Sequence, residues 1–147
     1  MKDFKRILHA TDFSPASRRA FSEALALAKE NEAELVIVHV LNPASPMGPE
    51  GFVTPKMYDD METVIRRSAG KRLDALLAKA TKAGARARGL LLNGLPDAAV
   101  VQAAKSERSD LVLLGTHGRT GWKRLLMGSV ASRVIASSPC PVLTVRA

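Results

Sequence analysis

The chain has 147 residues, 46% of them hydrophobic and 24% charged, the make-up of one soluble globular domain spanning 1–147. A single cysteine, Cys140, excludes an internal disulfide framework and, set between Pro139 and Pro141, reads as a small buried hydrophobe. The formal charge of +8 attracts polyanions in general, but the cations are scattered at helix-surface spacing and aromatics are only 4%, which argues against a nucleic-acid groove.

The elements alternate from end to end. The apolar stretch after Met1–Arg6 stops at His9 and Asp12, too soon for a secretory leader. The longest apolar run, Leu35–Leu41, is far short of a membrane span, so a cytoplasmic protein without a membrane partner is expected. Ile7–Ala10 reads as the first strand. Ser14 is the expected N-cap of the first helix, with Pro15 at its first position and Ala20, Phe21, Ala24, Leu25 and Ala28 on one face. The second strand, Leu35–Val40, is almost continuously apolar, as in a parallel sheet covered on both faces. His9 and His39 lie in these strands and read as core histidines.

Residues 42–56 hold Pro43, Pro46, Pro49 and Pro55 with Gly48 and Gly51, and are expected to be an irregular loop or lid. Met57, Met61, Val64, Ile65, Leu73, Leu76, Leu77 and Ala80 then mark one long amphipathic helix that Gly84 ends. Ala87–Leu92 is the third strand, Ala98–Lys105 a shorter helix, Leu111–Leu114 the fourth strand, Ser129–Ser137 the last helix and Val142–Val145 the fifth strand. Five strands alternating with four helices imply a doubly wound α/β parallel sheet with right-handed crossovers.

The chemistry concentrates after the fourth strand. Gly115-Thr116-His117-Gly118, nine residues, then Gly128-Ser129 form a strand, a glycine-punctuated loop and a helix start. Such a loop brings backbone close to a ligand, and the amides of the helix start suit a phosphate. In open α/β sheets, ligands bind beyond the carboxyl ends of the strands, so the connection after strand one, carrying Asp12, belongs to the same region. Asp12 there accepts hydrogen bonds from a base or ribose, or simply caps the first helix. His117 has no visible nucleophile or base beside it and reads as a loop-packing or phosphate-contact residue. Arg119, Lys123 and Arg124 are either phosphate contacts or solvated loop charges. The Walker-A loop, the G-x-G-x-x-G fingerprint, C-x-x-C pairs and the G-x-S-x-G elbow are all absent.

The spacing Gly115-x2-Gly118-x9-Gly128-Ser129 resembles the nucleotide-binding branch of the universal stress protein family. Ile7-Leu8-His9-Ala10-Thr11-Asp12-Phe13-Ser14 and Pro139-Cys140-Pro141-Val142-Leu143 agree with it, and the resemblance covers essentially the whole chain. It implies a Rossmann-like five-stranded sheet of order 3-2-1-4-5, ATP binding and a homodimer; the sequence alone would also permit a flavodoxin-type order. Carried over by position, Ala10 and Thr11 line the pocket, Asp12 reads the adenine and ribose end, and Val40 flanks the base. Gly115, Thr116, His117 and Gly118 approach the ribose and phosphates, and Gly128, Ser129 and Val130 hold the phosphate tail. Mg²⁺ is expected to ride on the phosphates rather than in a protein cage.

Under that order Val142-Leu143-Thr144-Val145 is an apolar, uncharged sheet edge, which predicts an antiparallel edge-to-edge dimer about a two-fold axis. The resulting expectation is a stress-response or signalling module that binds an adenine nucleotide. A slow ATPase is the alternative, with His117 and Asp12 the only side chains near the site able to act as base. A basic nucleic-acid-associated protein is a distant third.

Overall fold

The computed structural model describes residues 3–42, 47–48, 51–52, 54–116 and 128–146. Its main sheet is built from β1 (Arg6–Ala10), β2 (Glu34–Leu41), β5 (Arg86–Asn93), β6 (Leu111–Gly115) and β7 (Val142–Val145), all parallel to their neighbours. The spatial order is β5-β2-β1-β6-β7, which is 3-2-1-4-5 when these five strands alone are counted. The flavodoxin-type order is thereby excluded. Helices α1 (Pro15–Glu30), α2 (Pro55–Lys82), α3 (Pro96–Ser106) and α4 (Ser129–Ser137) connect the strands.

Each strand feeds two cores, because successive side chains point to opposite faces. Ile7, Leu35, Ile37, Leu111 and Leu113 pack with Phe21 and Ala24 of α1 and Leu73 and Ala80 of α2. Leu8, Val36, Val38, Val112 and Leu114 pack with Val100 of α3 and Ala131 and Val134 of α4. Each such aliphatic side chain contributes on the order of 1.5–3 kcal/mol when removed from water. Among the described residues no helix is long and apolar enough to cross a membrane.

Helix ends follow local chemistry. Ser14 caps α1 by accepting from the Ser17 amide, with Pro15 in the first turn, and Thr54 with Pro55 repeats the arrangement for α2. At the far end of α2, Gly84 at φ +93° allows the Ala85 amide to return to the Ala80 carbonyl at 3.1 Å. Opposite the carboxyl edge of the sheet, Arg88 joins Glu34 (3.1 Å) and Glu107, and Arg6 lies 3.0 Å from Glu34. The hydrogen bond from the Arg88 guanidinium holds the Glu107 carboxyl below the usual carboxylate range.

Three expectations are corrected. The proline-rich segment is not wholly irregular: β3 (Met47–Gly48) and β4 (Gly51–Phe52) pair antiparallel, and none of the paired residues is a proline, so no ladder donor is missing. α2 does not bury one continuous apolar face; Ala69, Leu73 and Ala80 are buried, whereas Met57, Met61, Val64 and Ile65 are exposed because the first turns of the helix lie outside the packed layer. Cys140 is half-buried rather than enclosed, since it follows α4 at the edge of the sheet, with its Sγ 3.7 Å from Ser138 Oγ.

Candidate functional site

A cavity of about 420 Å³ opens at the carboxyl ends of β1, β2 and β6, where the crossovers diverge to either face of the sheet. The β1–α1 turn forms one wall. Thr11 donates its amide to the Val38 carbonyl (2.8 Å), and its hydroxyl accepts from the Phe13 amide (3.0 Å). Asp12 Oδ1 accepts from the Ser14 amide (2.9 Å) and from Ser17 Oγ (2.7 Å), while the Asp12 amide donates back to Ser17 Oγ (3.2 Å). Ser14, not Asp12, is therefore the N-cap, and Asp12 is a turn residue fixed at the cavity wall.

Phe13 sits at φ 64°, a left-handed conformation uncommon for a bulky residue. Its ring packs against His39 at a tilt of 36° with centroids 4.5 Å apart, and the Arg72 guanidinium of α2 lies 5.6 Å from the ring centroid on Phe13. His39 Nδ1 is 2.7 Å from the Thr11 carbonyl, which can only accept, so this nitrogen carries the proton. His39 is thus a wall of the cavity rather than a core residue, because it lies near the strand's exit from the sheet.

The opposite wall comes from the end of β6 and the start of α4. A Cβ on Gly115 would lie 2.9 Å from both the carbonyl carbon and Cβ of Ala16, so β6 reaches the first turn of α1 only as glycine. Thr116 continues the ladder through its amide to Val145 (3.0 Å), and its carbonyl accepts from the Gly128 amide (2.5 Å), tying the two ends of the glycine loop together. Gly128 is the N-cap of α4 and offers no side chain, so the first-turn amides of Ser129, Val130 and Ala131 receive no side-chain cap. Their dipole end faces the cavity rim that these residues line.

Beneath Ala10, His9 is fully buried. Its Nδ1 lies 3.0 Å from the Leu113 carbonyl, its Nε2 has no hydrogen-bond partner among the described residues, and its ring stands 5.9 Å from that of Phe21. Burial lowers its pKa to about 4, against smaller raising effects from the Leu113 carbonyl and from Asp12. A second ring proton would have no acceptor among the described residues, and with the lowered pKa the imidazole is neutral near pH 7.

Of the residues singled out from the sequence, Ala10, Thr11, Asp12, Val40, Gly115, Thr116, Gly128, Ser129 and Val130 all line this one cavity. His117, Gly118, Arg119, Lys123 and Arg124 lie outside the described residues. Sequence reasoning missed Val38, His39, Val100 and Leu114 as walls. Val38 shares a strand face with Val40 and was readable from that spacing, whereas Val100 arrives from α3, which no local pattern places here. Among the described residues no cluster of three His, Cys, Asp or Glu side chains could hold a metal ion.

The arrangement defines a doubly wound α/β protein with a ligand-sized cavity at its topological switch point. The family model of the universal stress protein family matches residues 3–146, and the chain belongs to that family. A universal stress protein of Thermus aquaticus (in the QAH/OAS sulfhydrylase 3′ region) is 36% identical over 143 residues, 97% of this chain and 99% of the relative. Universal stress protein YxiE of Bacillus subtilis is 33% identical over 147 residues, with 97% and 99% covered. The solved structure of MJ0577, from Methanocaldococcus jannaschii, superposes with a TM-score of 0.88 at 25% identity, covering 99% of this chain and 98% of that one. Two more distant structures share the fold and carry ligands of their own. They are an Archaeoglobus fulgidus universal stress protein with dAMP (TM-score 0.68, 22% identity, 98% and 99% covered) and an Arabidopsis thaliana family member with AMP (0.69, 19%, 97% and 91%).

Proposed function

We propose that the cavity takes an adenine nucleotide, ATP with Mg²⁺ on its phosphates in the fullest form, and that the protein is a cytoplasmic stress-response module whose output is a change of conformation or partner. The observation that carries this reading is the meeting, in one cavity, of two unlike surfaces. Val38, Val40 and Leu114 offer an aliphatic slot for a flat base, and the uncapped start of α4 offers amides and positive dipole to a phosphate. Asp12, held by Ser14 and Ser17, stands at the wall formed by the β1–α1 turn, in place to accept from a ribose hydroxyl. Relatives of the same fold that hold AMP and dAMP support the adenine assignment.

Free ligand at 100 times its Kd stabilises the folded state by about 2.7 kcal/mol, which for a domain of this size raises Tm by roughly 5–10 °C. AMP and ATP with Mg²⁺ are expected to give that shift in a thermal melt, and adenosine, which lacks the phosphate, a smaller one. The absence of any shift at millimolar nucleotide overturns the assignment.

We also place the homodimer contact at β7, which among the described residues has β6 as its one neighbouring strand and exposes Leu143. Leu143→Lys is expected to convert dimers to monomers in light scattering and to make Tm independent of protein concentration; an unchanged mass rules this edge out.

A further inference from the structure

We infer that the outer three turns of α2 form a second, self-complementary surface that pairs antiparallel with the same segment of another copy of this chain. The stripe Met57, Met61, Val64 and Ile65 is exposed by 53%, 49%, 65% and 46%, more than single scattered apolar residues on a surface would suggest. It follows steps of four, three and one residue along one side of the helix. At about 100° per residue that side lies roughly a third of a turn from the line of Ala69, Leu73 and Ala80 that faces the sheet. α2 packs on β5 and β2 and contributes Leu73 and Ala80 to the core, while the stripe stays exposed.

The charges beside the stripe choose the occupant. Asp59, Asp60 and Glu62, preceded by Lys56, make the start of the stripe net acidic, and Arg67 and Lys71 lie beyond its end, all exposed. A parallel neighbour would set like charges together, whereas an antiparallel copy crossing near residue 63 sets acid against base on both sides of the two-fold axis. In a heptad reading Met61 then meets Val64 of the second copy and Asp60 meets its Arg67. Three turns of helix cover much less than the ~800 Å² per partner of a standard interface, so the pairing is weak and concentration-dependent. It does not compete with β7, because α2 packs along β5 and these two strands are opposite edges of the sheet.

Sedimentation of the full chain over a range of concentrations tests this. The mass of the wild type is expected to rise with concentration, and Val64→Lys, at an exposed position, to abolish the rise while leaving Tm unchanged. Asp60→Arg and Arg67→Asp are each expected to weaken self-association about tenfold or more, since each puts like charges face to face twice. An equimolar mixture of these two variants restores opposite charges at both contacts and is expected to associate as the wild type does. The inference is overturned if Val64→Lys associates like the wild type, or if the mixture is no heavier than either variant alone, as it would be were the stripe a seat for an unrelated protein.

Discussion

Gly115→Ala is expected to destabilise the protein by about 1–3 kcal/mol, because the added methyl meets backbone rather than a movable side chain. Its Cβ would stand 2.9 Å from the Ala16 carbonyl carbon and 2.9 Å from the Ala16 Cβ, in the first turn of α1. Relief requires β6 and α1 to separate where both help to wall the cavity, so the nucleotide-dependent rise in Tm should shrink as well. Gly89→Ala supplies the comparison. There the new Cβ also comes within 2.9 Å of an atom, but that atom is Leu77 Cδ1, the end of a flexible side chain. Chemical denaturation of both variants is the measurement. A cost for Gly115→Ala no greater than that for Gly89→Ala would show that the close approach of β6 to α1 is not what demands glycine.

Acid is expected to remove on the order of 3 kcal/mol through His9 alone. Its pKa in the folded protein is about 4 against an ordinary 6.5, so the unfolded chain takes the proton first. The contribution is complete above pH 6.5, declines as pH falls, and is lost by about pH 4. Glu107, whose carboxyl is held below its ordinary value of 4.5, loses its contribution in a lower window, so the upper part of the decline belongs to His9. Urea unfolding at pH 7, 5.5 and 4.5 should show this slope in the wild type, and His9→Asn should flatten it while keeping a donor toward the Leu113 carbonyl. An equal slope in the variant would sink the assignment.

Strand identity was readable because parallel strands buried on both faces are nearly unbroken aliphatic runs, and Leu35–Val40 and Leu111–Leu114 came out as the interior of β2 and β6. Strand order was not readable that way; it depends on which crossover packs on which face, and it came from the family resemblance. Within the site, Gly115, Gly128 and Ser129 were visible as punctuation between a strand and a helix. His39 was misread, since a histidine in an apolar strand looks the same one residue inside the sheet as at its exit. The start of α2 was misread for a related reason. Apolar periodicity identifies a helix, but the same spacing serves a buried face and an exposed one, and Met57, Met61, Val64 and Ile65 proved to be exposed.

The contacts of Arg72 with Phe13 and of Phe13 with His39 join α2 to the cavity wall. Phe13 holds its left-handed backbone between the two, and a residue in that state has few nearby conformations to yield into. A ligand that leans on the imidazole therefore bears on a ring that also touches Arg72, which lies between the buried Ala69 and Leu73 of α2.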